Sequence, residues 1–164
     1  MAGMFRIGLG TDLHRLAEPG PLILGNIPIP AERHAIGHSD ADALIHAIID
    51  AILGASGGGD IGRLFPDTDE AHRGRDSGEM LMTVWKSVSA AGWQLGNLDC
   101  VIHLQRPKLA PYIPEMVNRL GQLLGVPAER INIKAKTGEG VGLVGREEAV
   151  AAECVVLLTR EAIP

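Results

Sequence analysis

The segment covering residues 39–54, SDADALIHAIIDAILG, most constrains the fold because it has the pattern of a buried helix. At about 100° per residue, its large apolar side chains form one broad face, and its alanines form a narrow face that another backbone can approach. The other polar side chains, Asp42, His46 and Asp50, stack on one side at intervals of four residues. The segment contains no Lys, Arg or Glu, so none of its faces is typical of a solvated helix.

The ends of this helix are also marked in the sequence. Ser39 is the predicted N-cap, Asp42 takes the third helical position of a capping box, and Gly54 is the predicted stop. Buried polar groups need partners, so His46 is expected either to be satisfied by hydrogen bonds or to bind a ligand. A satisfied buried histidine is the simpler interpretation for such a residue taken alone.

The first predicted strand, residues 4–14, supplies groups that could join His46. Asp12 and His14 are two residues apart and therefore point to the same face of that strand. Together with His46 they offer one carboxylate and two imidazoles, a set that suits zinc with one open coordination position. The spacing does not show that the three side chains converge, so the metal site and the satisfied histidine both stand as interpretations.

Composition narrows the class of protein. The 164 residues are 46% hydrophobic, which predicts one domain, residues 1–164, with its own core. A net charge of −5 argues against a general nucleic-acid partner. Cys100 and Cys154 lie in apolar runs and are predicted to be buried, reduced thiols. No apolar run reaches the roughly 20 residues of a membrane span and no signal pattern opens the chain, which predicts a cytoplasmic protein without a membrane partner.

The other segments alternate between predicted strands and helices. The sequence predicts a hairpin from residues 22–24 and 27–29, helices over 77–91 and 114–124, and strands over 98–104, 131–137 and 149–159. We interpret the chain as an α+β domain, a mixed β-sheet with helices packed on one face.

Two loops carry polar groups suited to an anion or a sugar. His38 precedes the predicted N-cap, where a helix N-terminus favours a phosphate. Residues 57–69 are too rich in Gly and Pro for regular structure, and a solvated loop is the ordinary interpretation. Against it, Ile61, Leu64 and Phe65 could anchor the loop so that its carboxylates meet sugar hydroxyls. No lysine follows the glycines as a nucleotide P-loop requires. His72 and His103 are interpreted as structural or surface residues.

Four motifs together resemble a known family. They are GTDLH near the start, HSDAD leading into the helix, GDIGRLFPDTD, and the late KAKTGE followed by GR. In order and spacing, almost from end to end, they are similar to the 2-C-methyl-D-erythritol 2,4-cyclodiphosphate synthases, the cyclising enzymes of the non-mevalonate isoprenoid pathway. The resemblance implies a homotrimer around a central cavity, with active sites between neighbouring subunits.

The resemblance also implies a reaction and its metals. The 2-phosphate of a CDP-methylerythritol substrate attacks the outer phosphorus of the diphosphate, CMP leaves, and a cyclic diphosphate remains. Asp12, His14 and His46 would hold zinc, and Glu139 would hold magnesium or manganese bridging the phosphates. Such a reaction needs positioning and charge neutralisation more than a protein nucleophile, and divalent cations let an acidic protein bind a polyanion.

The implied site residues extend through the whole chain. His38 and Thr137 would be catalytic, residues 104–110 would form the cytosine pocket, and Asp60 and Gly62 would hold sugar hydroxyls. The implied substrate-binding residues are Asp12, His14, His38, Ser39, Asp60, Ile61, Gly62, Phe65, Pro66, Asp67, Thr68, Asp69, Leu104, Lys108, Leu109, Ala110, Ala135, Lys136, Thr137, Gly138, Glu139, Leu143 and Arg146. Leu143 and Arg146 would lie at the central cavity.

The chain departs from the family pattern at two places. Lys136 and Gly138 replace part of a threonine run, adding a cation and backbone freedom beside Thr137, and Leu143 stands where a phenylalanine is frequent. Two other classes of function stay open at this point: a metal-stabilised binding module for a phosphorylated ligand, and a structural trimer with an inert metal. Glu139, Arg146 and the open metal position favour an enzyme.

Overall fold

The computed structural model describes residues 3–161, which form a mixed five-stranded sheet, a two-stranded hairpin and five α-helices. The strands are β1 (Met4–Ala17), β2 (Leu22–Leu24), β3 (Ile27–Ile29), β4 (His34–Ile36), β5 (Gln94–His103), β6 (Ile131–Lys136) and β7 (Ala149–Arg160). The helices are α1 (Ala43–Ser56), α2 (Ile61–Leu64), α3 (Ser77–Ala90), α4 (Ile113–Leu124) and α5 (Gly142–Gly145). The predicted α+β class with a mixed sheet is confirmed.

The order of the strands sets where the functional loops lie. The large sheet runs β4-β1-β7-β5-β6, with β5 and β6 parallel and the other pairs antiparallel. In this register Asp12 lies opposite Ala152, Ala152 opposite Ile102, and Ile102 opposite Ala135. The chain after β6 therefore leaves the sheet at the edge remote from β1.

The narrow alanine face of α1 lies directly against β1, as its sequence predicts. A Cβ added at Gly8 would sit 1.8 Å from the carbonyl oxygen of Ala51, and one added at Gly10 would sit 2.0 Å from that of Ala47. No side chain larger than hydrogen fits at either position. This close contact places His46, on the same helix, next to the inner face of β1.

The ends of α1 differ from the prediction. The N-cap is Asp42, whose carboxylate accepts the N–H of Ile45, because Ala41 has a positive φ of 57° and keeps the preceding residues out of the helix. Asp42 is fully buried and also accepts the N–H groups of Gly25 and Asn26, and burial raises its pKa to about 6. Ser39 is therefore not the cap.

The helix also continues past its predicted stop. Gly54 stays helical beside the backbone of β1, and the left-handed residue that ends α1 is Gly57.

Other boundaries move by a few residues. The hairpin lies where it is predicted, while β1 extends to Ala17 and the short strand β4, which the sequence analysis missed, pairs with its end. The segment 57–69 is more regular than expected, since it contains α2, and a 3₁₀ turn at Glu70–His72 follows it. Ile61 and Phe65 pack against the core as predicted, but Leu64 is 46% exposed and is not an anchor.

The face of the sheet opposite α1 carries exposed apolar side chains. Phe5, Ile7 and Leu9 on β1 are 67%, 73% and 64% exposed, and Val155 lies beside Leu9 on β7. Cys100 and Cys154 face the core, where both are buried free thiols. Within the described part of the chain no helix is long and apolar enough to cross a membrane.

Candidate active site

Three side chains converge between β1 and α1. Asp12 Oδ2 lies 2.8 Å from His14 Nε2 and 3.0 Å from His46 Nδ1, and the two ring nitrogens are 3.1 Å apart. Asp12 and His14 reach one point because alternate residues of β1 face α1, and His46 reaches it because the glycines of β1 admit the helix. The convergence that the sequence left open is therefore present, and this is the one metal-competent cluster among residues 3–161.

The cluster has the dimensions of a metal site. Tetrahedral zinc with bonds of 2.0–2.1 Å separates its ligand atoms by about 3.3 Å, a few tenths of an ångström more than the three distances here. Protons cannot point from both histidine nitrogens into a 3.1 Å gap, so at least one lone pair faces the shared point. The residues fit a divalent metal that accepts two imidazoles and a carboxylate.

Hydrogen bonds on the outer side orient both rings. His14 Nδ1–H donates to the carbonyl of Ile36 on β4 at 2.9 Å, which leaves Nε2 free for a metal. His46 Nε2 contacts two hydroxyls, those of Ser39 at 3.1 Å and Ser77 at 2.9 Å. The hydroxyl of Ser77 in turn donates to the carboxylate of Asp40.

The electrostatics of the cluster are those of a preformed cation site. Burial by itself raises the pKa of Asp12, but the adjacent imidazoles of His14 and His46 outweigh it and hold that pKa well below its usual range. Burial likewise lowers the pKa of His14, and Asp12 outweighs it, so the net shift is upward. When His14 is protonated, its proton supplies the positive charge that a metal would otherwise supply, and metal binding displaces that proton.

His38 does not lie at a helix N-terminus. The buried carboxylate of Asp42 takes that place and excludes a phosphate from it. Instead, His38 Nε2–H donates to the carbonyl of Asp69 at 3.0 Å, and the His38 carbonyl accepts the N–H of Gly74 at 2.7 Å. These two hydrogen bonds connect His38, the sequence neighbour of Ser39, to the 66–74 loop.

The loop carboxylates act partly as structural caps. Asp60 caps α2 by accepting the N–H of Arg63 at 3.0 Å, and Asp69 accepts that of Ala71. Asp50, the third member of the polar stripe on α1, accepts the N–H of Ile61 at 2.7 Å. The loop is therefore tied by a hydrogen bond to α1, the helix that carries His46. Gly62, Asp67 and Thr68 on this loop are exposed, and Pro66 is half-buried.

His72 and His103 have structural contacts, as interpreted from the sequence. The ring of His72 packs edge-on against Phe65, with centroids 5.4 Å apart, and His103 pairs with Glu153 on β7 at 3.2 Å.

A second feature is a cleft of about 720 Å³ beside the ends of β1, β5 and β6. Residues of the predicted cytosine pocket line it, together with Arg33 and Glu147, which the sequence analysis did not single out. Leu104, Lys108 and Thr137 are among the residues that line the cleft. Leu109 is instead buried in the core, and Ala110 is exposed.

The turn after β6 holds the predicted Thr137 and Glu139 together. Thr137 Oγ1–H donates to Glu139 Oε1 at 2.7 Å, and both residues are exposed or nearly so. Gly138 packs closely against the next turn, and a Cβ there would lie 2.4 Å from the N of Gly145. Ala135 and Lys136 end β6 with exposed side chains just before the turn.

One chain does not bring this turn to the metal cluster. Asp12 and Ala135 lie at the same level of the sheet with two strands between them, so three strand spacings place their backbones about 14 Å apart. Glu139 is accordingly outside the Asp12/His14/His46 cluster. Leu143 is 48% exposed on α5, and Arg146 donates to Glu148 at 2.7 Å.

Several residues that shape the metal cluster were not predicted from the sequence. Ser77, Asp40 and the carbonyl of Ile36 all orient histidines. The only available signal was that Asp40 belongs to the HSDAD motif, since a serine at the start of a predicted helix is too common to single out.

Known proteins resemble this chain over nearly its whole length. The sequence profile of the YgbB family matches residues 5–159. The chain is 52% identical over 158 residues to the 2-C-methyl-D-erythritol 2,4-cyclodiphosphate synthase of Lysinibacillus sphaericus, which covers 96% of this chain and 100% of that relative.

Solved structures share the fold. The bifunctional IspDF from Campylobacter jejuni superposes with a TM-score of 0.93 at 37% identity, over 97% of this chain and 43% of that one. This chain thus spans less than half of the bifunctional protein. A 2C-methyl-D-erythritol-2,4-cyclodiphosphate synthase in its CDP-bound form superposes with a TM-score of 0.86 at 44% identity, over 93% of this chain and 99% of that one.

Proposed function

This chain belongs to the YgbB family, and we propose that it converts 4-diphosphocytidyl-2-C-methyl-D-erythritol 2-phosphate into 2-C-methyl-D-erythritol 2,4-cyclodiphosphate and CMP. That activity is a phosphorus–oxygen lyase reaction of non-mevalonate isoprenoid biosynthesis. The observation that carries the proposal is the convergence of Asp12, His14 and His46 on one point in a chain 52% identical to such synthases. The whole chain acts as a single domain.

Asp12, His14 and His46 would hold the metal, and two imidazoles and a carboxylate suit zinc. When bound, this cation neutralises charge on the substrate diphosphate and polarises its P–O bonds. The chain contributes by fixing its three ligand atoms in advance, through the carbonyl of Ile36 and the hydroxyls around His46. A donor set fixed before binding needs no rearrangement when substrate arrives.

His38 and Ser39 position the phosphate that attacks. Both lie in the connection between β4 and α1, and the hydroxyl oxygen of Ser39 already contacts His46 at 3.1 Å. The adjacent 60–69 loop holds substrate hydroxyls with the carboxylate of Asp60, backed by Gly62, Phe65, Pro66, Asp67 and Thr68. Asp50 and His38 tie that loop to the metal side through Ile61 and Asp69.

The cleft beside residues 104–108 takes the cytidine end of the substrate. The cleft has a volume of about 720 Å³, and a relative at 44% identity is described in a CDP-bound form. Lys108, Lys136 and the backbone of Leu104 and Ala110 face the nucleotide. Thr137 would donate to the phosphate on the CMP side, and Glu139 would hold a magnesium or manganese ion that would neutralise charge on the substrate.

The complete site forms between subunits of a homotrimer. Two observations support this: the metal cluster and the Thr137–Glu139 turn are separated within one chain, and the sheet leaves Phe5, Ile7 and Leu9 uncovered. A neighbouring subunit resolves both, because it supplies the missing half of the site and covers the apolar face. Leu143 and Arg146 then lie near the threefold axis.

The test is CMP release from the cytidyl substrate by the full chain, before and after removal of metal with a chelator. We expect turnover that the chelator abolishes and added zinc restores. Tight binding of the substrate without CMP release would instead identify a binding module. Absence of both binding and turnover in a zinc-loaded protein would identify a structural metal.

A further inference from the structure

We propose that Ser77 and Asp40 are positioning residues for the metal centre: they hold His46 with its proton on Nε2, so that the Nδ1 lone pair faces Asp12 and His14. The inference rests on the proposed function only in that it requires the cluster to bind a metal. It adds two residues from outside the ligand set and assigns them one task, control of a tautomer.

The contact between His46 and Ser77 is buried, and the contacts between Ser77 and Asp40 are partly buried. His46 Nε2 lies 2.9 Å from Ser77 Oγ, and Ser77 has no exposed surface. The Ser77 hydroxyl hydrogen-bonds to Asp40 Oδ1, and the backbone N–H of Ser77 donates to Asp40 Oδ2 at 3.0 Å. Asp40 therefore accepts hydrogen bonds from the first residue of α3 through both carboxylate oxygens.

The protons available along the hydrogen bonds from Asp40 through Ser77 to His46 decide the tautomer of His46. Both oxygens of the Asp40 carboxyl group accept hydrogen bonds from Ser77, so the single proton of the Ser77 hydroxyl points to Asp40. The Ser77 oxygen can then meet His46 only as an acceptor, which requires an N–H on Nε2. A neutral imidazole with its proton on Nε2 has its lone pair on Nδ1, the atom 3.0 Å from Asp12 Oδ2 and 3.1 Å from His14 Nε2.

The hydrogen-bond relay from Asp40 through Ser77 to His46 opposes the other tautomer of His46. The Asp12 carboxylate would by itself attract a proton to His46 Nδ1, and a protonated Nδ1 cannot bind a metal. Ser39 does not settle the choice, since its hydroxyl can either donate to Nε2 or accept from it, and it has no carboxylate partner within residues 3–161. Only the Asp40-linked serine enforces one direction.

The experiment measures zinc affinity of the zinc-stripped full chain by competition with a chelating indicator. Ser77→Ala removes the acceptor, and loss of such an outer hydrogen bond weakens binding about 10- to 100-fold. Ser77→Thr keeps the hydroxyl and should restore most of the affinity. Asp40→Asn should lose less zinc affinity than Ser77→Ala, because the amide oxygen of asparagine can still accept the serine proton.

Ser56→Ala is the matched control. It removes a hydroxyl from the same helix as His46, but that hydroxyl donates only to the carbonyls of Ile52 and Leu53. Its zinc affinity should equal that of the unaltered chain.

A second readout reports the tautomer directly. Nitrogen-15 NMR of the zinc-free protein should show His46 protonated on Nε2, and Ser77→Ala should move that proton to Nδ1, which a merely structural role for Ser77 would not do. Zinc affinity within twofold of the unaltered chain in both Ser77→Ala and Asp40→Asn, or an unchanged tautomer, would overturn the proposal.

Failure of the relay can be told apart from failure of the metal centre. If His46→Ala loses zinc while Ser77→Ala binds it normally, only the relay is wrong. If His46→Ala keeps its zinc, the metal centre itself is wrong. Should Ser77→Ala fail to fold, Asp40→Ala, which frees the Ser77 hydroxyl to donate to His46 Nε2, decides the question by the same two measurements.

Discussion

The metal cluster and the Thr137–Glu139 turn differ in how much of their geometry one chain supplies. Asp12, His14 and His46 sit between a strand and a buried helix, and hydrogen bonds hold each ring from behind. The turn after β6 is exposed, and Thr137 and Glu139 contact chiefly each other. The buried half is therefore complete within one chain, whereas the exposed half has few fixed contacts of its own.

This contrast implies two kinds of mutational response. Changes in the buried half should remove a metal or destabilise the fold, because each group there is surrounded by fixed partners. Changes in the exposed half should leave the fold and the zinc intact and alter only kinetics. The predictions below test that division.

The largest expected effect is that of His46→Ala. It removes one of three ligands, and loss of metal polarisation should lower CMP release by about 10³-fold or more. Elemental analysis should find little zinc, while circular dichroism shows a folded chain. Full zinc occupancy in this variant would refute the ligand assignment.

Gly10→Ala tests the contact that carries His46 to β1. The added Cβ would lie 2.0 Å from the carbonyl oxygen of Ala47, and such overpacking should reduce the free energy of unfolding by about 3 kcal/mol. Urea denaturation measures it. Gly54→Ala is the control, since its Cβ would meet β1 at an ordinary 3.9 Å, and equal stability of the two variants would contradict the packing argument.

Glu139→Gln should keep zinc yet lower the rate by about 10²-fold, because an amide is a poor ligand for a hard cation that screens the phosphates. Added magnesium should restore part of the rate, since the loss is one of affinity for the second ion. Kinetics across a magnesium series, together with zinc analysis, provide the check. Loss of zinc from this variant would show that the two halves are not independent.

Thr137→Val should lower the rate by about 10- to 100-fold through loss of a hydrogen bond to the phosphate. No magnesium concentration should restore it, because no metal ligand has been removed. The same magnesium series distinguishes it from Glu139→Gln. An identical response of the two variants would mean that their mutual hydrogen bond, and not separate roles, explains both.

Asp60→Asn is expected to have the smallest effect. Asparagine can still cap α2, so stability should be unchanged, while loss of a charged acceptor for a substrate hydroxyl should raise KM about tenfold. Steady-state kinetics and thermal unfolding measure the two quantities. Unchanged KM would show that this carboxylate serves only to cap the helix.

Sequence patterns succeeded where a local rule decides the outcome. Alternation along β1 placed Asp12 and His14 on one face, and the small-residue face of α1 predicted a close backbone contact. They failed at the helix ends and in the 57–69 segment, where Ala41 with its positive φ and the Asp60 cap decide the structure. Those features depend on neighbouring segments, such as the Gly25–Asn26 turn that Asp42 caps.

The sequence by itself determined the ligand types, their faces and the family, because residue identity and periodicity are local properties. Only the tertiary structure decided that the three ligand atoms meet, that Ser77 and Asp40 lie behind His46, and that Glu139 lies elsewhere. The physical reason is that these are contacts between residues 31 to 37 positions apart or on separate strands. Strand order and helix packing bring such residues together or separate them, and no short-range pattern records either one.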